Sequence, residues 1–189
     1  MFLGDLVSKG PHSAKVVKLA MKINASCVIG NHDFELLEWM GYVNAEDDFR
    51  TDGINLGYDT KEHVLGSKVS KYATGFERQA AEWLVQCPYI LKAGKVNGEE
   101  LVAVHGGLVP GVALEEQRNL SIPKILILEP WSIMNMRNIH KGKPSKNTDE
   151  GDAWVELWNE SQRRSKHPTT VIYGHDARRV CIPLTHFNT

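Results

Sequence analysis

Four times along this chain an apolar, β-like run stops at or beside a glycine and delivers a residue able to bind a metal or move a proton. The junctions are Gly4-Asp5, Gly30-Asn31-His32, Val104-His105-Gly106-Gly107 and Gly174-His175. Glycine lets the backbone turn sharply at such a junction. In α/β sheets, ligands sit at the carboxyl ends of the strands. A fold that brings all four junctions to one rim would therefore assemble one site. Asp, Asn and two His form a mixed oxygen and nitrogen donor set. It suits Mn²⁺, Fe or Zn²⁺ better than Ca²⁺ or an iron–sulfur cluster.

The second junction is the densest. Cys27-Val28-Ile29 reads as a short buried strand, and Phe34 to Met40 reads as a helix. Between them Asn31 offers a neutral oxygen, His32 a nitrogen ligand or a proton, and Asp33 a hard anionic oxygen. Taken alone, the stretch reads more readily as a strand-to-helix turn with Asn31 as N-cap. Asp33 either orients His32 or complements the helix N-terminus.

The chain in order predicts a βαβ beginning. A strand at Phe2-Leu3 leads through the Leu6–Pro11 loop to a helix opening at Pro11. Its apolar face is Ala14, Val16, Val17, Leu19, Ala20 and Met21, and Asn24 ends it. Val28-Ile29 then pairs in parallel. Residues 41–70 read as a loop-rich lid. Thr74 caps a helix running through Ala80 to Val85 and ending at Pro88. Tyr89-Ile90-Leu91 and Leu101 to Val104 are strands, with a hairpin turn at Val96-Asn97-Gly98-Glu99. Leu126 to Arg137 is apolar, Lys141 to Asp152 reads as a polar loop, and Trp154 to Trp158 as a helix. Thr169 to Tyr173 is the clearest strand of the second half. No repeat or linker divides the chain, so residues 1–189 read as a single domain.

Composition excludes some functions. The 189 residues carry 22 basic and 23 acidic side chains, a net charge of −1, so no global field calls for nucleic acid or a membrane surface. No apolar run reaches the length of a membrane span. Cys27, Cys87 and Cys181 are widely spaced and odd in number. They predict no disulfide framework; Cys27 and Cys87 read as core residues, and a reducing, cytoplasmic setting fits. His12, His63, His140, His167 and His186 lack strand-end context and read as surface.

The motifs together resemble the calcineurin-like metallophosphoesterases, on the phosphoprotein-phosphatase side and in the ApaH-like branch. That branch is named after bacterial diadenosine tetraphosphatase and includes fungal polyphosphate-cleaving relatives. Gly4-Asp5-Leu6-Val7-Ser8-Lys9-Gly10 resembles the family block Gly-Asp-x-Val-Asp-Arg-Gly, with Ser8 and Lys9 for Asp-Arg. Gly30 to Asp33 resembles Gly-Asn-His-Glu, His105-Gly106-Gly107 the His-Gly-Gly block, and Gly174-His175 the last His. The resemblance implies an α/β sandwich of two mixed sheets flanked by helices. It implies Asp5, Asn31, His105 and His175 as metal ligands, and His32, with Asp33, as the catalytic pair, His32 being the general acid. It implies Lys9 and Arg137 as phosphate binders and two divalent metals in the complete site. Such paired cations activate water and clamp an in-line displacement. Substrates implied are polyphosphate or dinucleoside polyphosphates, with a phosphoprotein as the nearby alternative; Ser8-Lys9 argues against an ordinary serine/threonine phosphatase. A vacuolar location is an implication of the family alone. No protein partner is indicated.

The family's first block, Gly-Asp-x-His-Gly, has no counterpart before Gly4, and the pattern after Asp176 departs from the family's closing strands. The expectation is a domain truncated at its N-terminus and at its C-terminus, with only the second metal site intact. A catalytically dead metal- or phosphate-binding fragment is the competing expectation.

Overall fold

The computed structural model describes residues 1–40, 42–43, 76–118, 130–176 and 179. The chain opens as the alternating pattern demands. Phe2 bridges Cys27 in parallel, with Phe2 N–H donating to the Ser26 carbonyl at 2.8 Å and Val28 N–H to the Phe2 carbonyl at 3.1 Å. Between them runs α1, Ser13–Lys22. It begins after His12 rather than at Pro11, and the Ser13 hydroxyl accepts the Ser8 N–H at 3.1 Å. Of its apolar side chains, Val17 and Ala20 are buried while Leu19 stays 55% exposed. The expected stop at Asn24 holds: Asn24 takes a left-handed φ of 50°, and the Ala25 N–H bonds back to the Ala20 carbonyl.

The second helix, α2, is Asn31–Trp39, with Gly30 rather than Asn31 at its N-cap. Asn31 therefore lies in the first turn, its side chain free of capping duty. The third, α3, is Arg78–Leu84, and Ala80, Ala81 and Leu84 bury against α1 and α2. Then come β1, Ile90–Val96, and β2, Glu99–Val104, joined by the predicted hairpin. Asn97 and Gly98 both have positive φ, 52° and 84°, which the right-handed twist of paired strands favours at a two-residue turn. β6, Thr169–Ile172, pairs in parallel with β2, giving a mixed sheet in the order β1-β2-β6. Two short helices, α4 (Leu114–Arg118) and α5 (Pro130–Asn135), follow β2.

Lys141 to Asp152 is not the structureless loop expected. β3 (Asn138–His140), β4 (Lys143–Ser145) and β5 (Asp152–Ala153) form a small antiparallel sheet, with β3 central. Lys141 and Gly142, at φ 50° and 76°, make the turn between β3 and β4. The Asn138 amide holds the return, donating to the carbonyls of Thr148, Glu150 and Gly151. Strands of two or three residues leave no alternation to read, which is why composition suggested a loop. α6, Trp154–Arg163, extends further than the expected Trp154 to Trp158.

Among the described residues two apolar clusters result. One joins α1, α2 and α3 to Leu6, Val7 and Ile29; the other joins β1 and β2 to α5 and α6 through Trp154 and Trp158. Cys27 and Cys87 lie in the first cluster as expected, but they are bonded to each other, with Cα atoms 5.3 Å apart. The sequence reading of unpaired thiols is thus corrected. Sixty residues separate the two cysteines, so spacing gave no hint that parallel pairing and the end of α3 would bring them together. With Cys27 and Cys87 joined, the cysteines no longer favour a reducing compartment. His12 and His167 are exposed and His140 is half-buried. The proposed lid at 41–70, apart from Tyr42 and Val43, lies outside the described residues, as do Thr74, His63, Cys181 and His186. No helix among the described residues is long and apolar enough to cross a membrane.

Candidate metal centre

Three of the four strand-end junctions converge at once. Donor atoms of Asp5, His105 and His175 all lie within 4.8 Å of one another. β2 delivers His105 one residue past its end, and the parallel pairing with β6 continues beyond both strands, the Gly174 N–H donating to the His105 carbonyl at 3.0 Å. That bond fixes His175 beside His105, with ring centroids 5.0 Å apart. The Phe2-Leu3 run lies alongside and presents Asp5.

Close approach explains two of the glycines. A Cβ on Gly4 would lie 2.5 Å from His105 Nδ1, and one on Gly30 would lie 2.5 Å from Asp5 Oδ1. Neither position accepts a side chain without displacing a donor. Asp5 and His175 themselves sit at φ 54° and 61°, a left-handed backbone that non-glycine residues seldom adopt. Such outliers cluster where the surroundings over-determine the backbone, commonly at functional sites.

Hydrogen bonding around His105 fixes its role. Its Nδ1 lies 2.5 Å from the Leu3 carbonyl, which can only accept, so Nδ1 carries the proton. Its Nε2 lone pair then faces Asn31 Oδ1 at 3.2 Å and Asp5 Oδ1 at 3.3 Å. Three electron-pair donors are thus aimed at one another with no hydrogen assigned between them. Among the described residues, the buried Nε2 of His175 has no hydrogen-bond partner. A divalent cation satisfies both observations, and the backbone carbonyl on Nδ1 is the usual brace of a metal-binding imidazole. The residues present fit a metal.

The electrostatics agree. Burial pushes the Asp5 carboxyl up, but the closely packed His105 and His32 imidazoles and the His32 backbone N–H outweigh it and hold Asp5 at about 2. Burial, then the neighbouring Arg137 guanidinium and the His105 ring, push His175 down to about 4, so it is neutral and ligand-ready above that. His32 Nε2 lies 3.9 Å from Asp5 Oδ2, and its backbone N–H donates to Asp5 Oδ1 at 3.2 Å. The hydrogen bond to Glu35, against the opposing effect of burial, raises the His32 imidazole above its ordinary value.

Asp33 is not brought to His32 for orientation. It is fully buried, with Oδ2 accepting the Gly30 N–H at 3.0 Å and Oδ1 the Val7 N–H at 3.2 Å. It therefore ties the Asp5 loop to the start of α2. Burial raises its carboxyl to about 6 despite those two donors.

Lys9 Nζ stands 3.7 Å from Asp5 Oδ2 on a side chain 72% exposed. Arg137 is half-buried near enough to influence His175 and donates to the Lys146 carbonyl at 3.4 Å. Sequence reasoning missed Arg179, which bonds Asp176, Asn138 and the Arg137 carbonyl, joining the His175 loop to β3. It also missed Glu35, whose only sequence signal is its place one helical turn beyond His32.

Comparison with known proteins gives a consistent picture. Residues 1–184 match the family described as calcineurin-like phosphoesterase. The zinc-dependent endopolyphosphatase of Saccharomyces cerevisiae is 27% identical over 94% of this chain and 57% of its own length. A symmetrical bis(5'-nucleosyl)-tetraphosphatase of Delftia acidovorans is 32% identical over 60% of this chain and 36% of its own. A crystal structure described as that of a "putative diadenosine tetraphosphatase" covers 94% of this chain and 61% of that one, at 26% identity and a TM-score of 0.59. The chain thus spans about half the length of these relatives.

Proposed function

From the premise that this chain belongs to the calcineurin-like phosphoesterase family, we propose that it hydrolyses phosphoanhydride bonds in a metal-dependent reaction, with inorganic polyphosphate or dinucleoside polyphosphates as substrates. The observation that carries the reading is the convergence of the Asp5, Asn31 and His105 donor atoms beside the His175 Nε2, which has no hydrogen-bond partner among the described residues. The names of the relatives support the substrate class. Zn²⁺ suits the donor set and is the metal in the name of the yeast relative; Mn²⁺ and Fe suit the same donors.

The residues then have distinct duties. Asp5, Asn31, His105 and His175 hold the cation, which when bound supplies Lewis acidity to phosphate and activates water. Lys9 and Arg137 neutralise charge on non-bridging phosphate oxygens. Lys9 does so as a point charge without the fork of an arginine, which tolerates variation in phosphate position. His32, with its Nε2 3.9 Å from Asp5 Oδ2, donates a proton to the departing oxygen. Asp33 keeps the Asp5 loop and α2 in register.

A second reading has its own observation. Among the described residues, Asp5, His105 and His175 form one metal-competent group, which supports one cation and a binding role without turnover. Zn²⁺ titration followed calorimetrically, together with phosphate release from polyphosphate, diadenosine tetraphosphate and a phosphopeptide, separates the two. Metal-dependent release from the first two substrates, abolished in Asn31→Ala, supports hydrolysis. Tight Zn²⁺ binding without release from any substrate supports the binding role, and absence of both defeats each reading.

A further inference from the structure

The imidazole of His32 lies between two carboxylates. Its Nδ1 is 3.4 Å from Glu35 Oε2, and its Nε2 is 3.9 Å from Asp5 Oδ2. Both His32 and Glu35 are only 25% exposed at the side chain. They stand three residues apart on α2, a spacing that places side chains one above the other on a helix face. Asp5 is a metal ligand in the reading above, so its oxygens are engaged when the site is loaded. Among the described residues, the carboxylate left to hold the ring is Glu35. Asp33 is unavailable, because both its oxygens accept backbone N–H groups.

We propose that Glu35 is the positioning residue for His32, accepting the Nδ1 hydrogen so that Nε2 is turned to the substrate side of Asp5. The proposal rests on the phosphohydrolase reading for its consequence, but not for its geometry. In the reaction, a water oxygen attacks phosphorus, the bond from phosphorus to the departing oxygen breaks, and the Nε2 proton passes to that oxygen. Glu35 stays ionised throughout, and the water's proton is released to solvent. Glu35 touches no reacting atom; it fixes which ring nitrogen points inward and lowers the number of ring orientations to be lost on reaching the transition state.

Two readouts test it on the full chain with and without added Zn²⁺. The first is the ¹⁵N–¹H correlation spectrum of the His32 ring, assigned by His32→Gln. The wild-type ring is expected to carry its hydrogen on Nδ1 when neutral, and Glu35→Ala to shift it toward a mixture of tautomers. The second is turnover of phenyl phosphate and p-nitrophenyl phosphate. Proton donation matters for the poor phenoxide leaving group and little for nitrophenoxide. Glu35→Ala should lower kcat roughly tenfold on phenyl phosphate, a fraction of the whole value of a general acid. It should change kcat less than about twofold on p-nitrophenyl phosphate, with KM unaltered on both, and Glu35→Asp should recover part of the loss. A ring whose Nδ1 proton is unchanged in Glu35→Ala overturns the proposal, as does an equal loss on both substrates. If the chain turns over neither substrate, the tautomer measurement still decides the role of Glu35, and the hydrolytic reading alone falls.

Discussion

The two ends of the mixed sheet β1-β2-β6 have opposite character. Along β2, Glu99, Glu100 and Leu101 are half-buried, while Val102, Ala103 and Val104 are fully buried. At the far end the hairpin carries exposed cations, and Lys92 pairs with Glu100 at 2.9 Å and Glu115 at 3.3 Å. A groove beside it is lined by Lys95, Lys166 and His167 in open water. At the near end charge is buried, hydrogen-bonded and crowded by glycine contacts. The far end's ion pairs are exposed and screened, and pairs of that kind contribute little. The near end holds polar groups that must be satisfied by one another or by a cation. The difference teaches where substitution should matter.

The largest effect should come from the support of the near end. Cys27 directly precedes Val28-Ile29-Gly30, and the Ile29 N–H donates to the Pro88 carbonyl next to Cys87. Replacing both cysteines by alanine releases a link across 60 residues, and a loss of about 2–4 kcal/mol is expected from chain entropy. Denaturant unfolding measures it; a change within error would mean that packing alone seats the strand. Gly30→Ala should follow, at about 1–3 kcal/mol for a forced overlap, accompanied by loss of Zn²⁺ binding. Retained affinity in that variant would show that Asp5 is not held where the donors converge.

His175→Asn separates ligand from core residue, since Asn tolerates the left-handed backbone. Zn²⁺ affinity should fall by about a hundredfold or more, beyond the effect of losing an outer brace. Metal-free stability should fall by only about 1 kcal/mol, the scale of the one ring hydrogen bond lost, that to the Asn135 backbone.

The pH dependence of the metal-free protein sharpens the comparison further. Asp33 is raised to about 6, so its stabilising contribution is full below the ordinary carboxyl value near 4 and is lost as pH rises through 6. His175 is lowered to about 4, so its contribution is present above 6.5 and is lost as pH falls toward 4. The two slopes oppose each other in the wild type. Asp33→Asn should remove the first and leave stability rising with pH between 4 and 6.5; a flat profile in that variant would refute the assignment. The smallest effect is at the far end: Lys92→Ala should leave both unfolding and Zn²⁺ binding unchanged, and a measurable loss in either would erase the contrast between the ends.

Much of the near end was legible in the sequence because its chemistry and its backbone needs coincide. A glycine that admits a neighbour stands next to a donor at each junction, and Asn97-Gly98 announced the hairpin by the one turn type it favours. What escaped depends on distance between segments or on lengths too short for a pattern. The Cys27–Cys87 bond needed the placement of α3. The sheet of β3, β4 and β5 is held by the Asn138 amide rather than by alternation. Glu35 looked like any acidic residue on a helix surface, and for Asp33 the sequence left His32 and the helix N-terminus both open, where the structure has it accepting the Gly30 N–H. Arg179 lies outside every motif, and only the fold brings it to Arg137.

The left-handed backbone at Asp5 and His175 bears on attempts to transplant this centre. A protein designer copying only the donor identities into an ordinary strand-to-loop junction would aim both side chains elsewhere, because the default conformer there points Cβ in another direction. The portable unit is the residue together with its uncommon torsion and the glycine neighbour that makes room for it. Directed libraries that vary side chains but leave backbone geometry to chance should therefore recover this donor set rarely, even though its chemical composition is simple.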